Sequence, residues 1–327
     1  MAQTRVTKEK WEMVNEANKD LLDRYLFECD VNDLYEKTIM SYTTAIKMFY
    51  IWVLEKKNNV SVLAFQRREF QEYSKYIRDT GRSTSTHNDY MSAIRNMMEF
   101  ALDDDNIEYN RNMCNKIKRL KNVRVRKKTF LTNDQIVKLY DELVARKKYK
   151  WASFLMLGYE STGRVSELLQ VDKDSFLEDR NNTNYLHKKG CAENSPLLFF
   201  DNTKNIVAKY LEQRGEDEKD ALWLNPRKNR NKPASGAYWC NKMSEILTEI
   251  EGKPIRFTCH DIRRSAINSY HNGTHLLCDV KVERIPYPIQ DIQLLANHKS
   301  QQMTESYLPN NNQRNIESAF GIKIINQ

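Results

Sequence analysis

Between Arg111 and Lys128 the chain carries nine basic side chains and no acidic one. Such a run cannot pass through an apolar core, because an unpaired buried charge costs too much, so it must lie on a surface or between folded units. The basicity is local: the whole chain has 52 Lys and Arg against 44 Asp and Glu, and without this stretch 43 remain against 44. The sequence therefore reads as two near-neutral folded parts joined by a basic connector at 111–130. Its 327 residues agree with two domains of about 150 residues each. A connector of this charge suits a DNA or RNA backbone, where each neutralised phosphate releases counterions. A merely solvated linker accounts for the charge alone equally well.

Only 9 Gly and 7 Pro occur in the chain, with 29% charged and 40% hydrophobic residues, a composition that predicts a mainly α protein with few tight turns. Apolar residues recur at helical spacing at Ile39, Tyr42, Ala45, Ile46 and Phe49, and again at Tyr90, Ile94, Met97 and Ala101; these are core faces. Ser83 and Thr84 are N-cap candidates for the second of them, whose other face offers Thr86, Asn88 and Arg95 to solvent or to a groove. Thr132-Asn133-Asp134-Gln135 predicts a capping box opening a new domain. A helix over 151–159 is interrupted at Ser161-Thr162-Gly163 and restarts over 164–171. Tyr185-Leu186-His187 and 196–200 flank a polar, Gly-containing stretch and predict a β-hairpin.

No apolar run approaches the roughly 18 residues of a membrane span, and the first residues lack the apolar core of a secretion signal. The expected place is the cytoplasm, at the nucleoid, with no membrane partner. The six cysteines form no C-x-x-C pair and read as reduced thiols. His271 and His275 are four apart, but Gly273 lies between them and no Glu follows His271 as in H-E-x-x-H, so no metal site is expected.

Four separated motifs carry the chemistry: Thr162-Gly163-Arg164-Val165-Ser166-Glu167-Leu168-Leu169, His260-Asp261-Ile262-Arg263-Arg264-Ser265, Leu294-Leu295-Ala296-Asn297-His298 and Thr304-Glu305-Ser306-Tyr307. In order and local spacing the chain resembles the tyrosine recombinases, the phage-integrase family, over roughly residues 130–310. The resemblance implies a two-domain C-shaped DNA clamp, mainly α with a small β-sheet or hairpin. Residues 1–110 would be a helical, SAM-like core-binding domain and 131–327 the catalytic domain with its tail. It implies a site-specific recombinase that cuts and rejoins DNA through a 3′-phosphotyrosine, to integrate, excise or resolve a mobile element. The partners implied are double-stranded recombination sites, further copies of the chain in a synaptic tetramer, and accessory DNA-bending or directionality proteins.

Each residue type has a chemical reason. In-line displacement at a phosphodiester builds negative charge on the non-bridging oxygens, and permanently charged, bidentate guanidinium groups suit it; Arg164 and Arg263 are the pair. Glu167, one helical turn after Arg164, is placed to orient that guanidinium. Tyr307 is the nucleophile by motif. A phenol of pKa about 10 needs its proton accepted, and His260 and His298 are the available groups. The ester formed is close in energy to the bond broken, so neither ATP, a metal nor any other cofactor is required. The leaving 5′-hydroxyl needs a general acid; the family uses a hairpin lysine, which matches Lys189, with Lys188 as the alternative. DNA-contact candidates are Arg95, Lys116, Lys118, Arg119, Lys121, Arg124 and Arg126.

The sequence departs from the family pattern at Asn297, where Gly is usual; Asn tolerates the left-handed region better than most residues. About a dozen extra residues lie between Arg263 and His298, around 275–288. The tail holds Ile316, Phe320, Ile322, Ile324 and Ile325, to be buried either against a neighbouring subunit or on its own domain. Two other readings stand beside recombination: a monomeric type IB topoisomerase-like enzyme, and a DNA-binding regulator that has lost cleavage.

Overall fold

The computed structural model describes residues 5–121, 128–177, 179–187, 194–225, 227–276 and 286–309. The chain divides into two compact units, Met1–Lys127 and Lys128–Gln327.

The first unit packs α1 (Lys8–Glu12), α2 (Glu16–Val31), α3 (Glu36–Lys56), α4 (Arg67–Asp79) and α5 (Thr84–Asp103). The apolar stripe of α3 places Ala45, Ile46 and Phe49 in the core beside Ile94, Met97 and Ala101 of α5. An aromatic cluster fills the space beneath α4, with Phe49 and Tyr73 ring centroids 4.7 Å apart. Ser83 caps α5 by accepting the Thr86 N–H at 3.1 Å. The face of α5 that offers Thr86, Asn88 and Arg95 to solvent or to a groove holds the following chain through two of these residues. Asn88 is buried; its amide donates to Leu120 O and its carbonyl oxygen accepts the Leu120 N–H, both at 2.9 Å. Arg95 donates to Ile117 O at 3.1 Å. The first half of the basic stretch is thus folded onto this unit, with Cys114 and Ile117 buried while Lys116, Lys118, Arg119 and Lys121 stay exposed. Arg124 and Arg126 lie outside the described residues.

The second unit is built around α7 (Tyr149–Ser161), buried along its length from Ala152. Around it lie α6 (Asn133–Ala145), the short α8 (Val165–Leu168), α9 (Asp201–Arg214), α10 (Pro233–Glu251) and α11 (Cys259–His271). Thr132 and Gln135 form the expected capping box of α6. Two short helices, α12 (Ile289–Leu295) and α13 (Gln301–Glu305), complete the described part. Ile292 and Ala296 pack with Ile267 and Tyr270 of α11 in a small cluster that also takes in Tyr307.

Two local expectations are corrected. The helix expected over 164–171 is only one turn, because Trp223 Nε1 takes the Leu168 carbonyl at 2.6 Å and Arg230 the Leu169 carbonyl at 3.2 Å. Side-chain donors of this kind end a helix by satisfying its last carbonyls. The expected hairpin is reduced, among the described residues, to isolated antiparallel bridges, Asn182 with Leu198 and Leu186 with Ser195. Side chains replace part of the ladder there: Thr183 Oγ1 accepts the Leu197 N–H at 2.9 Å, and the Asn181 amide donates to Phe199 O at 2.9 Å. Such local side-chain bonds compete with regular pairing.

Candidate active site

The site begins where α7 ends. Thr162 has φ of 54°, the left-handed region that a β-branched residue rarely occupies. Gly163 follows because nothing larger fits: a Cβ there would lie 2.9 Å from side-chain atoms of both Leu168 and Leu197. This turn delivers Arg164 to the N-cap of α8. Glu167 is 2% exposed and holds Arg164 twice, accepting its backbone N–H at 2.9 Å and its guanidinium at 2.8 Å. The i,i+3 spacing seen in the sequence is therefore a buried clamp, with the Arg164 side chain itself 35% exposed.

Helix α11 supplies the next pair. Asp261 closes its capping box, accepting the Thr258 N–H at 2.9 Å and hydroxyl at 2.7 Å. The other Asp261 oxygen pairs with Arg264, whose guanidinium lies over the Phe130 ring. With its first turn fixed in this way, α11 presents His260 and Arg263, three residues apart, on one side. Arg263 is 1% exposed. Its guanidinium donates to Thr162 O, to Ala296 O at 2.7 Å and to His298 Nε2 at 2.7 Å. Ala296 adjoins Asn297, whose φ of 49° shows that asparagine makes the left-handed turn there. Both protein carbonyls that hold Arg263 thus neighbour or belong to a residue in a left-handed turn.

His298 is buried, with Nδ1 2.9 Å from Oγ1 of the fully buried Thr304. The Tyr307 ring lies 4.9 Å from the His298 ring and 5.1 Å from the His260 ring, centroid to centroid, with the Arg263 guanidinium 5.4 Å from its centre. Lys128 donates to Ser306 O at 2.6 Å and Leu308 O at 3.3 Å, holding the backbone on either side of Tyr307. The structure thus brings together Arg164, Glu167, His260, Arg263, His298 and Tyr307. Lys188 and Lys189 lie outside the described residues. Sequence reasoning missed Thr162, Thr304 and Lys128 as contributors; the only available signal for Thr304 was its place three residues before Tyr307.

Burial, followed by the charges of Arg263 and Arg164, holds the His298 imidazole down to about 3. Burial first, then Arg264 and Arg263, lowers His260 as well. Arg263 is itself lowered by burial and by Arg164 but keeps its charge at neutral pH. The cluster therefore offers two guanidinium groups and imidazoles biased to the neutral form around one phenol: charge for an anionic phosphoryl group, and nitrogen bases for a proton.

The remaining candidates behave structurally. His275 is 1% exposed, stacked on Tyr270 at 3.8 Å and Tyr159 at 4.2 Å, with Nε2 3.1 Å from Tyr159 O. Among the described residues no group of three or more His, Cys, Asp and Glu could hold a metal ion. Cys29, Cys114, Cys240 and Cys259 are buried free thiols. Among the described residues no helix is long and apolar enough to cross a membrane.

The chain and its fold have known relatives. A curated relative, the SPbeta prophage-derived recombinase-like protein YomM of Bacillus subtilis (strain 168), is 25% identical over 263 residues, covering 76% of this chain and 78% of its own. The fold resembles a Tn1549 transposon integrase in complex with a circular intermediate DNA, with a TM-score of 0.64 at 13% identity over 88% of this chain and 95% of that one. It also resembles a lambda integrase tetramer bound to a Holliday junction, with a TM-score of 0.63 at 14% identity over 89% and 77%. The model of the phage integrase family matches residues 129–314, a span that takes in every member of the cluster around Tyr307, and on that match the chain belongs to this family, the tyrosine recombinases.

Proposed function

We propose that this protein is a site-specific DNA recombinase that cuts and rejoins strands through a 3′-phosphotyrosine on Tyr307, serving the integration, excision or resolution of a mobile element. The observation that carries this reading is the seating of the Tyr307 ring against His260, His298 and the buried Arg263. In the proposed step the Tyr307 oxygen attacks phosphorus and its proton passes to an imidazole. The bond from phosphorus to the 5′-oxygen breaks, and that oxygen takes a proton from a lysine, Lys189 or Lys188. Arg164 and Arg263 hold the non-bridging oxygens, and Glu167 keeps Arg164 aimed. Placing donors where charge develops is the largest single contribution available to such a site.

In this reading the first unit is the core-binding domain. Its exposed Lys116, Lys118, Arg119 and Lys121 meet the phosphate backbone, while Arg95 serves by holding that segment rather than by touching DNA. The two units close on the duplex as a clamp, and protomers assemble as a tetramer on two sites, with accessory proteins setting direction. The prophage origin of the relative and the mobile-element integrases among the similar folds support this assignment.

The test uses nicked suicide DNA substrates from the flanks of the gene. The wild-type chain should give a shifted protein–DNA band on a denaturing gel, and Tyr307→Phe should bind the same DNA without it. A persisting band in Tyr307→Phe would move the nucleophile elsewhere. Relaxation of plasmids without joining of two sites would favour a monomeric topoisomerase-like enzyme, and binding without any band a regulator.

A further inference from the structure

Both ring nitrogens of His298 are engaged, and their partners determine where its proton sits. Nε2 meets Nη2 of Arg263 at 2.7 Å, and Nδ1 meets Oγ1 of Thr304 at 2.9 Å. A guanidinium has donors and no acceptor, so Nε2 must be the bare, accepting nitrogen. The single proton of the neutral ring is then on Nδ1, and the Thr304 oxygen accepts it. The same contact disfavours the imidazolium form, which would turn a second N–H at a cation. We propose that Thr304 is a positioning residue for strand cleavage: Arg263 sets His298 as the Nδ1–H tautomer, and the buried Thr304 hydroxyl accepts that N–H and so holds the ring with its proton-free Nε2 beside Arg263 and the Tyr307 ring.

The placement of Thr304 supports this role. It is fully buried and lies in α13, three residues before Tyr307. One turn of chain therefore carries both the phenol and the group that orients an imidazole packed against it. The hydroxyl also suits a proton transfer. When the Arg263 N–H turns from Nε2 to the phosphate, Nε2 is freed to take the phenolic proton, and the resulting imidazolium still bonds through Nδ1–H to Thr304. Thr304 thus holds the ring both before and after Nε2 takes the proton.

This inference rests on the recombinase reading for its link to cleavage, but not for its tautomer. Two variants separate the hydroxyl from the packing of the side chain: Thr304→Val keeps the shape and removes the hydroxyl, and Thr304→Ser keeps the hydroxyl and removes the methyl. Ring-nitrogen NMR on the full chain with ¹⁵N-histidine, with His298 assigned by its absence in His298→Gln, should show a protonated Nδ1 and a bare Nε2 in the wild type. Thr304→Val should leave the Nδ1–H without its acceptor, shifting that proton's resonance and speeding its exchange with water, and should form covalent complex on nicked suicide DNA about 10- to 100-fold more slowly, the effect of stranding one buried donor. Thr304→Ser should keep the tautomer and cleave within about threefold of wild type. The proposal is overturned by a protonated Nε2 in the wild type, by an unchanged Nδ1–H resonance in Thr304→Val, by equal impairment of both variants with matching losses of melting temperature, or by a changed resonance with unchanged cleavage. If the wild-type chain forms no covalent complex, the recombinase reading fails and with it the role in cleavage, while the ring-nitrogen spectra still decide the tautomer.

Discussion

Arg263→Lys tests the geometry of the site in two independent quantities. The guanidinium is 1% exposed and serves Thr162 O, Ala296 O and His298 Nε2, acceptors set on separate stretches of chain. One ammonium on a shorter stem cannot span them. If it keeps one contact, two buried acceptors lose a charged donor, and at about 1.5 kcal/mol each the fold loses about 3 kcal/mol. For a unit the size of Lys128–Gln327, melting shifts by about 2–4 °C per kcal/mol, so the transition should fall by about 6–12 °C. In the proposed mechanism cleavage suffers separately, because a point charge replaces a guanidinium assigned to the scissile phosphate. Single-turnover cleavage of a suicide substrate, measured well below the melting transition, should slow by about 10² or more. Scanning calorimetry and quenched-flow gels read the two effects. A variant that melts within about 2 °C of wild type and cleaves at a near-normal rate would refute both the structural argument and the assignment of Arg263 to the clamp.

Acid should weaken the second unit through its buried histidines. Unfolded histidine takes up a proton near 6.5, whereas folded His275 and His298 are held down to about 3, so the unfolded state binds more protons as pH falls through 6.5. At pH 5 the loss is about 2 kcal/mol for each histidine. Urea titrations at pH 7.5 and 5 should show it, and His275→Phe, which preserves the ring stack, should remove about 2 kcal/mol of the loss; a loss unchanged by that variant would contradict the burial argument. Loss of cleavage in Lys189→Ala should be largely rescued by a 5′-bridging phosphorothiolate, whose thiolate leaves without a proton. Rescue confined to Lys188→Ala would exchange the two lysines, and rescue of neither would place the general acid outside this stretch.

What the sequence revealed was local. The capping box at Thr132, the cap at Ser83, the apolar faces of α3 and α5 and the four chemical motifs all depend on residues within one or two turns of each other. Asn297 belongs with them, since its tolerance of positive φ is intrinsic. The hidden features depend on contacts between distant residues. Nothing near Thr162 announces that its carbonyl will meet Arg263, 101 positions away. Asn88 and Arg95 stood open to solvent or to a groove because their partners, Leu120 and Ile117, lie 32 and 22 residues further on. Nothing near His275 announces that its ring will stack between Tyr159 and Tyr270. The shortened α8 and the broken hairpin have the same origin, since Trp223, Arg230 and Thr183 take the backbone partners that local propensity had assigned elsewhere.

The central claim is that Tyr307 becomes covalently joined to DNA, and peptide mapping of the trapped complex tests it directly. Digestion of the wild-type adduct followed by mass spectrometry should give a single nucleotide-bearing peptide, modified at Tyr307 through a 3′-phosphate, with a free 5′-hydroxyl on the released strand. A linkage at any other residue, or a 5′-phosphate on the tyrosine, would contradict the account.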